Sequence, residues 1–176
     1  DINNKRIKRL DVNYNIKDYL DVGYYPRGIC CTGDSEIAVK LYNNNVQFIS
    51  VGSSLSTLRE ISIKGGTYWG LVFYAGELWV STGSGVNVYS MSGTLLKTIS
   101  KDVNGQKIFK STTHQIAVTG DTVIVTDASN GAVCLRRDGT VIRELRDRRL
   151  GRTLSVCVSD DGTVFVAGYN SHNIVM

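Results

Sequence analysis

The sequence predicts an all-β fold, a β-propeller of four-stranded blades, on three observations. The composition is that of strands and turns: 42% hydrophobic, with 18 glycines and a single proline in 176 residues. Val, Ile, Thr and Tyr fill the short runs, and Gly, Asn, Asp and Ser fill the gaps between them. The chain also repeats. The runs EIAVKL (36–41), ELWVST (77–82), TVIVTD (122–127) and TVFVAG (163–168) place Val39, Val80, Val125 and Val166 at spacings of 41, 45 and 41 residues. Finally, each unit holds four short runs, and about four such repeats of ~42 residues are the mark of propeller blades.

The elements follow in order. The first run of each unit ends in a turn: RGICCTGDS, GLVFYAGE, HQIAVTGDT and LSVCVSDDGT. These runs are the most continuously apolar, which suits a position near the central axis. The valine-centred runs come second. NVQFISV, VNVYSMSG and GAVCLRRDG come third. The fourth runs, LREISIK, LLKTISK and VIRELRD, carry alternating charge, as an outer edge strand should. No stretch sustains a 3.6-residue period, so helices between the strands find no support. Residues 1–26 supply the third and fourth strands of one blade. Residues 27–65, 66–106 and 107–151 form whole blades, and 152–176 form a partial one. Residues 5–10 and 172–176 would occupy the same strand slot if the two ends met. The chain is therefore expected to be part of a larger propeller or a small closed ring. A fragment would self-associate through its open blade edges. The Asp1 start points to a processed or excised chain.

Several classes of function are disfavoured. No apolar run approaches a membrane span of roughly 18 residues, and no partner membrane is expected. Cys30 and Cys31 point to opposite faces of a strand and cannot clamp a metal together. With Cys134 and Cys157 they read as small buried thiols in a reducing, cytoplasmic setting. His114 and His172 are far apart, and no RING-type Cys/His cluster is present. There is no nucleophile elbow, no H-E-x-x-H and no phosphate loop ending in Gly-Lys-Ser/Thr. Gly65-Gly66 and Gly83-Ser84-Gly85 read as turns. The expectation is a non-enzymatic chain with no cofactor and no metal.

Charge is modest overall, at +4, but unevenly placed. Residues 136–152 hold seven arginines against three acids. Arg136, Arg137, Arg143 and Arg146 read as solvated edge protection. In a propeller, the loops joining strands two to three and those joining blade to blade share one face. That face would carry Lys5, Arg6, Arg27, Lys107, Lys110, Arg148, Arg149 and Arg152, with Tyr24, Tyr25, Tyr68, Trp69, Phe109, Tyr169 and His172. Basic groups attract phosphates through counterion release, and aromatic rings offer stacking platforms for unpaired bases.

The pattern D-x-x-N-x-x-[IV], a strand and then a D-G turn occurs as Asp127…Asn130…Val133…Asp138-Gly139 and as Asp1…Asn4…Ile7…Asp11. With the P-x-G-[IV] opening in YYPRGICCTGDSEIAV (24–39), it resembles the NHL repeat, which forms the C-terminal propeller of tripartite-motif proteins. The blade at 66–106 departs from the pattern, with STGSGVNV in its place. The resemblance implies a scaffold that recruits protein partners or substrates for a ubiquitin ligase, or alternatively a single-stranded RNA platform on the basic face.

Overall fold

The computed structural model describes residues 1–65, 69–129 and 131–176. Seventeen strands are assigned among them, and the fold is the propeller that the repeat predicts. A two-stranded sheet, β1 (Arg6–Leu10) and β2 (Ile16–Asp21), comes first. Three complete four-stranded blades follow. The first pairs β3 (Pro26–Gly33), β4 (Glu36–Leu41), β5 (Asn45–Val51) and β6 (Leu55–Ser62). The second holds β7 (Leu71–Tyr74), β8 (Glu77–Ser81), β9 (Val86–Ser90) and β10 (Leu95–Ile99). The third holds β11 (Thr113–Thr119), β12 (Thr122–Asp127), β13 (Gly131–Arg136) and β14 (Val141–Arg146). A three-stranded sheet, β15 (Thr153–Val158), β16 (Val164–Gly168) and β17 (Asn173–Val175), closes the series.

Every pairing is antiparallel between sequence neighbours, because the connections are tight turns built for it. Asp138 shows how: its carboxylate accepts the Thr140 N–H at 2.8 Å, and Gly139 takes a φ of 98° that an L side chain resists. The Asp1…Asn4 pair has the same local logic. The Asp1 carboxylate accepts the Asn4 backbone N–H at 3.3 Å and its side-chain amide at 2.8 Å.

A four-stranded sheet cannot bury both faces alone, so the core is split into seams between sheets. Val22, Val39, Leu41, Ile49 and Leu55 close the first seam. Phe48, Ile61, Leu71, Val80 and Tyr89 fill the second. Trp79, Val88, Ile108, Phe109, Val125 and Leu135 fill the third, and Ile124, Ala132, Leu150, Val156 and Val166 the fourth. The first strands β3, β7, β11 and β15 approach one another, which makes them the innermost. They are not the most buried. Ile29 and Cys31 on β3 and Cys157 on β15 are exposed, whereas Ala38, Val39, Trp79, Val80, Val123 and Val125 on the second strands are sealed. The expectation that the first runs are the apolar heart is corrected: an innermost strand has no neighbour on its axial edge, while a middle strand is covered on both faces.

The edge arginines divide. Arg136 and Arg143 are exposed. Arg137 crosses to the preceding blade, where it bonds the Ala75 carbonyl at 3.0 Å and sits 3.3 Å from Glu77. Arg146 is no solvated edge residue. It lies 3.1 Å from the fully buried carboxylate of Asp127, which also accepts the Lys110 N–H at 2.8 Å and the Ser129 N–H and hydroxyl at 3.1 and 2.9 Å. Burial pushes the Asp127 pKa up, but these donors together outweigh it and hold the carboxyl below the ordinary range. Asp127→Ala is expected to cost on the order of 3 kcal/mol by leaving these donors unpaired. Its stabilising effect in the parent should fade in urea titrations only as the pH falls below the usual aspartate range.

Candidate functional site

The loops expected to share one face do so, and a repeated backbone bond joins them. Tyr42 N–H donates to the Tyr25 carbonyl at 3.0 Å, Ala128 to Thr112 at 2.9 Å, and Tyr169 to Arg152 at 3.1 Å. In each case a residue just past the second strand is tied to the loop that leads into its own blade. Left-handed residues recur there too, with Lys5, Asn44 and His172 at φ 53°, 65° and 52° immediately before a third strand.

Cations and rings on this face pair with each other. The Arg27 guanidinium lies 5.0 Å from the Tyr42 ring centroid and 4.9 Å from that of Trp69, so two loops and the start of β3 meet on one side chain. Tyr25 meets Tyr42 edge-on at 6.4 Å and carries the Lys5 ammonium at 5.4 Å. Arg152, at φ 49°, lies 6.0 Å from the Tyr169 ring. Beside Arg152 opens a cleft of about 320 Å³, lined by Trp69, His114, Gln115, Arg152, Leu154 and Ser155. Burial lowers the His114 pKa, and the nearby Arg152 charge lowers it further, so the imidazole is neutral at neutral pH. The Nε of Arg27 is buried with no hydrogen-bond partner among the described residues.

The remaining candidates scatter. Arg148 is exposed on the loop before β15. Arg149 is tied to Asp147 at 2.6 Å, and that bond, with the Arg149 N–H, holds the Asp147 carboxyl down to about 2. Arg6 stands on β1 rather than in a loop, paired with Asp21 at 2.7 Å and lying 4.2 Å from the Tyr19 ring. Phe109 is 4% exposed and belongs to the third seam, where the apolar contact outweighs any display on the surface. Tyr24 is exposed, and Tyr68 lies outside the described residues. Lys107 and Lys110 line a second cavity on the same face, of about 430 Å³, together with Lys101, which the sequence did not single out. Its signal was present: Asp102…Asn104-Gly105 is a turn, and a turn sets its flanking residues, Lys101 and Lys107, opposite one another.

No protein-family model matches the chain, and no curated protein does. Solved structures do. The chain superposes on a streptogramin B lyase with a TM-score of 0.75 at 18% identity, over 98% of its own length and 58% of the lyase. A catalytically inactive histidine-to-alanine variant of virginiamycin B lyase from Staphylococcus aureus, solved with quinupristin, gives 0.73 at 19% over 99% and 59%. Glutaminyl cyclase from Myxococcus xanthus gives 0.66 at 14% over 96% and 79%. The likeness is one of fold. It nonetheless corrects one expectation: that the chain is non-enzymatic does not follow, because propellers of this shape include a cyclase and lyases. The missing nucleophile elbow, H-E-x-x-H and phosphate loop do not speak to such enzymes.

Proposed function

We propose that the loop face is a docking surface for an acidic segment of a protein partner. The observation that carries this is the state of the rings. Tyr25, Tyr42, Trp69 and Tyr169 are already engaged by Lys5, Arg27 and Arg152. Rings so occupied are poor platforms for bases. A guanidinium stacked on a ring, however, keeps its in-plane N–H edge for a carboxylate and loses little freedom on binding one. In a parent of the tripartite-motif kind, which the NHL-like motifs resemble, the docked segment would belong to a substrate for ubiquitin transfer.

The test is a titration with a Glu-rich peptide and, separately, with single-stranded RNA, each across a salt series. Beside the parent stand an Arg27→Ala/Arg152→Ala variant and an Arg148→Glu/Arg149→Glu/Arg152→Glu variant. Peptide binding that falls roughly tenfold or more in the double variant supports the proposal. Retention of peptide affinity in that variant refutes it. RNA binding that weakens linearly in log salt and vanishes in the triple variant, without peptide binding, would replace it with the nucleic-acid reading.

A further inference from the structure

The cavity at the seam between the second and third complete blades carries a separate inference. It is lined by Lys101, Lys107 and Lys110 and by the hydroxyl-bearing Ser84, Ser100, Ser111 and Thr112. Lys101 and Lys107 are partners across an antiparallel bridge, so their side chains leave the same side. Like charges directly opposed in this way repel. Neither ammonium has a carboxylate partner among the described residues, and Asp102 spends its carboxylate on the N–H groups of Asn104 and Gln106 at 2.9 and 2.8 Å. Lys110 adds a third charge, only loosely answered by Glu144 at 3.5 Å.

The opposed pair is fixed in place. The turn between the two lysines closes through Asp102 N–H to Gln106 at 2.8 Å and Gly105 N–H to Asp102 at 3.0 Å, and Ile108 N–H reaches Ser100 at 3.0 Å. Ile108 and Phe109 then anchor the segment in the seam. The opposite wall is held by Thr113, wholly buried, whose hydroxyl accepts the Gly83 N–H at 3.2 Å and donates to the Gly85 carbonyl at 2.9 Å. A cup whose backbone is held in this way, with three lysines and a hydroxyl rim on its wall, matches a compact dianion. It suits a phosphodiester, with its single charge and two substituents, less well.

We infer that this cavity binds a phosphate monoester, held by Lys101, Lys107 and Lys110 and by the hydroxyls of Ser84 and Ser111. The shared chemistry is the terminal phosphate, whether on a phosphorylated serine of a peptide or on a mononucleotide. The site is distinct from the arginine-lined cleft and stands whether or not an acidic partner docks there.

The experiment is calorimetric titration at low salt with a phosphoserine peptide, its unphosphorylated counterpart, a nucleoside 5′-monophosphate and dimethyl phosphate. Beside the parent stand Lys101→Gln/Lys107→Gln and, as a control away from the cavity, Lys8→Gln. Binding of a monoester, absent for the unphosphorylated peptide and for dimethyl phosphate, and reduced about tenfold or more in the double variant only, is expected. The tighter of the two monoesters assigns the source. Since Lys101→Gln/Lys107→Gln removes a repulsion, the variant should melt no lower than the parent, which separates lost binding from lost fold. Equal binding by the double variant, or none by either monoester, overturns the inference.

Discussion

Replacing Lys40 with methionine is expected to stabilise the chain at neutral pH by on the order of several kcal/mol. Lys40 is wholly buried on β4, and among the described residues its Nζ donates only to the Ser81 carbonyl of the next blade, at 3.0 Å. Burial lowers its pKa to about 7. Below that pH the ammonium is charged in both the folded and unfolded chains, and the fold bears the full penalty of burying it. Between about 7 and the ordinary 10.5, the unfolded chain still holds the proton that the folded chain has released. Stability therefore rises with pH across that window. Methionine, of similar length, keeps the packing and removes both the penalty and the slope. Urea unfolding at pH 7 and at pH 10 measures both effects. A variant less stable than the parent at pH 7, with the slope intact, would show that the ammonium is solvated or paired after all.

The second large effect is expected at Gly131. A Cβ added there would run into the Leu145 carbonyl oxygen on the neighbouring strand, and the same is true of Gly85 against Ile99. Both glycines open the third strand of a blade, where the fourth strand crosses close by. Gly131→Ala should push β13 and β14 apart beside the Asp127–Arg146 pair. The expected cost is on the order of 3 kcal/mol, at the upper end for overpacking. Gly33→Ala is the control, since nothing lies within 4 Å of its Cβ position and its backbone is ordinary. It should shift the thermal midpoint by no more than about 1–2 °C. Equal melting of the two variants would mean that the outer strand yields freely.

These residues also show where the sequence was legible. The period, the four runs per unit and the turns at Asp138-Gly139 and Asp1…Asn4 could be read because each is local: a carboxylate two or three residues from the N–H it accepts. The NHL-like motif residues seen here serve as such turn formers. Lys40 was not legible. It follows Val39 where the other repeats have Ser81, Thr126 and Ala167 after their valines, so a lysine there reads as a solvent-facing strand residue. Only the packing reveals otherwise. Ser81 and Thr126 use their hydroxyls to bond the inner strand at Gly70 and Gln115, a task Lys40 exchanges for a bond to the next blade. Arg146 misled for the same reason, because its buried partner lies 19 residues away. On the loop face, most of the cations and rings could be listed from sequence, but Tyr42 was not among them and their mutual pairing could not be read. The pairings of Arg27 with Tyr42 and Trp69 bring the start of β3 together with two separate loops.

The four seams stand in series, and among the described residues none joins the first sheet to the last. Such a chain behaves as a row of coupled units rather than a single block. Each inner blade is braced on two sides, each outer sheet on one, and amide exchange should record the difference as a gradient of protection. The slowest amides are those of β8, β9, β12 and β13, where Trp79 and Val125 sit; the fastest are in β1, β2 and β17. The three-lysine cavity and its anchors Ile108 and Phe109 lie at the third seam, between the braced blades. An anion seated there would tighten the row at its middle, and the slowing of exchange would spread outward from it in both directions.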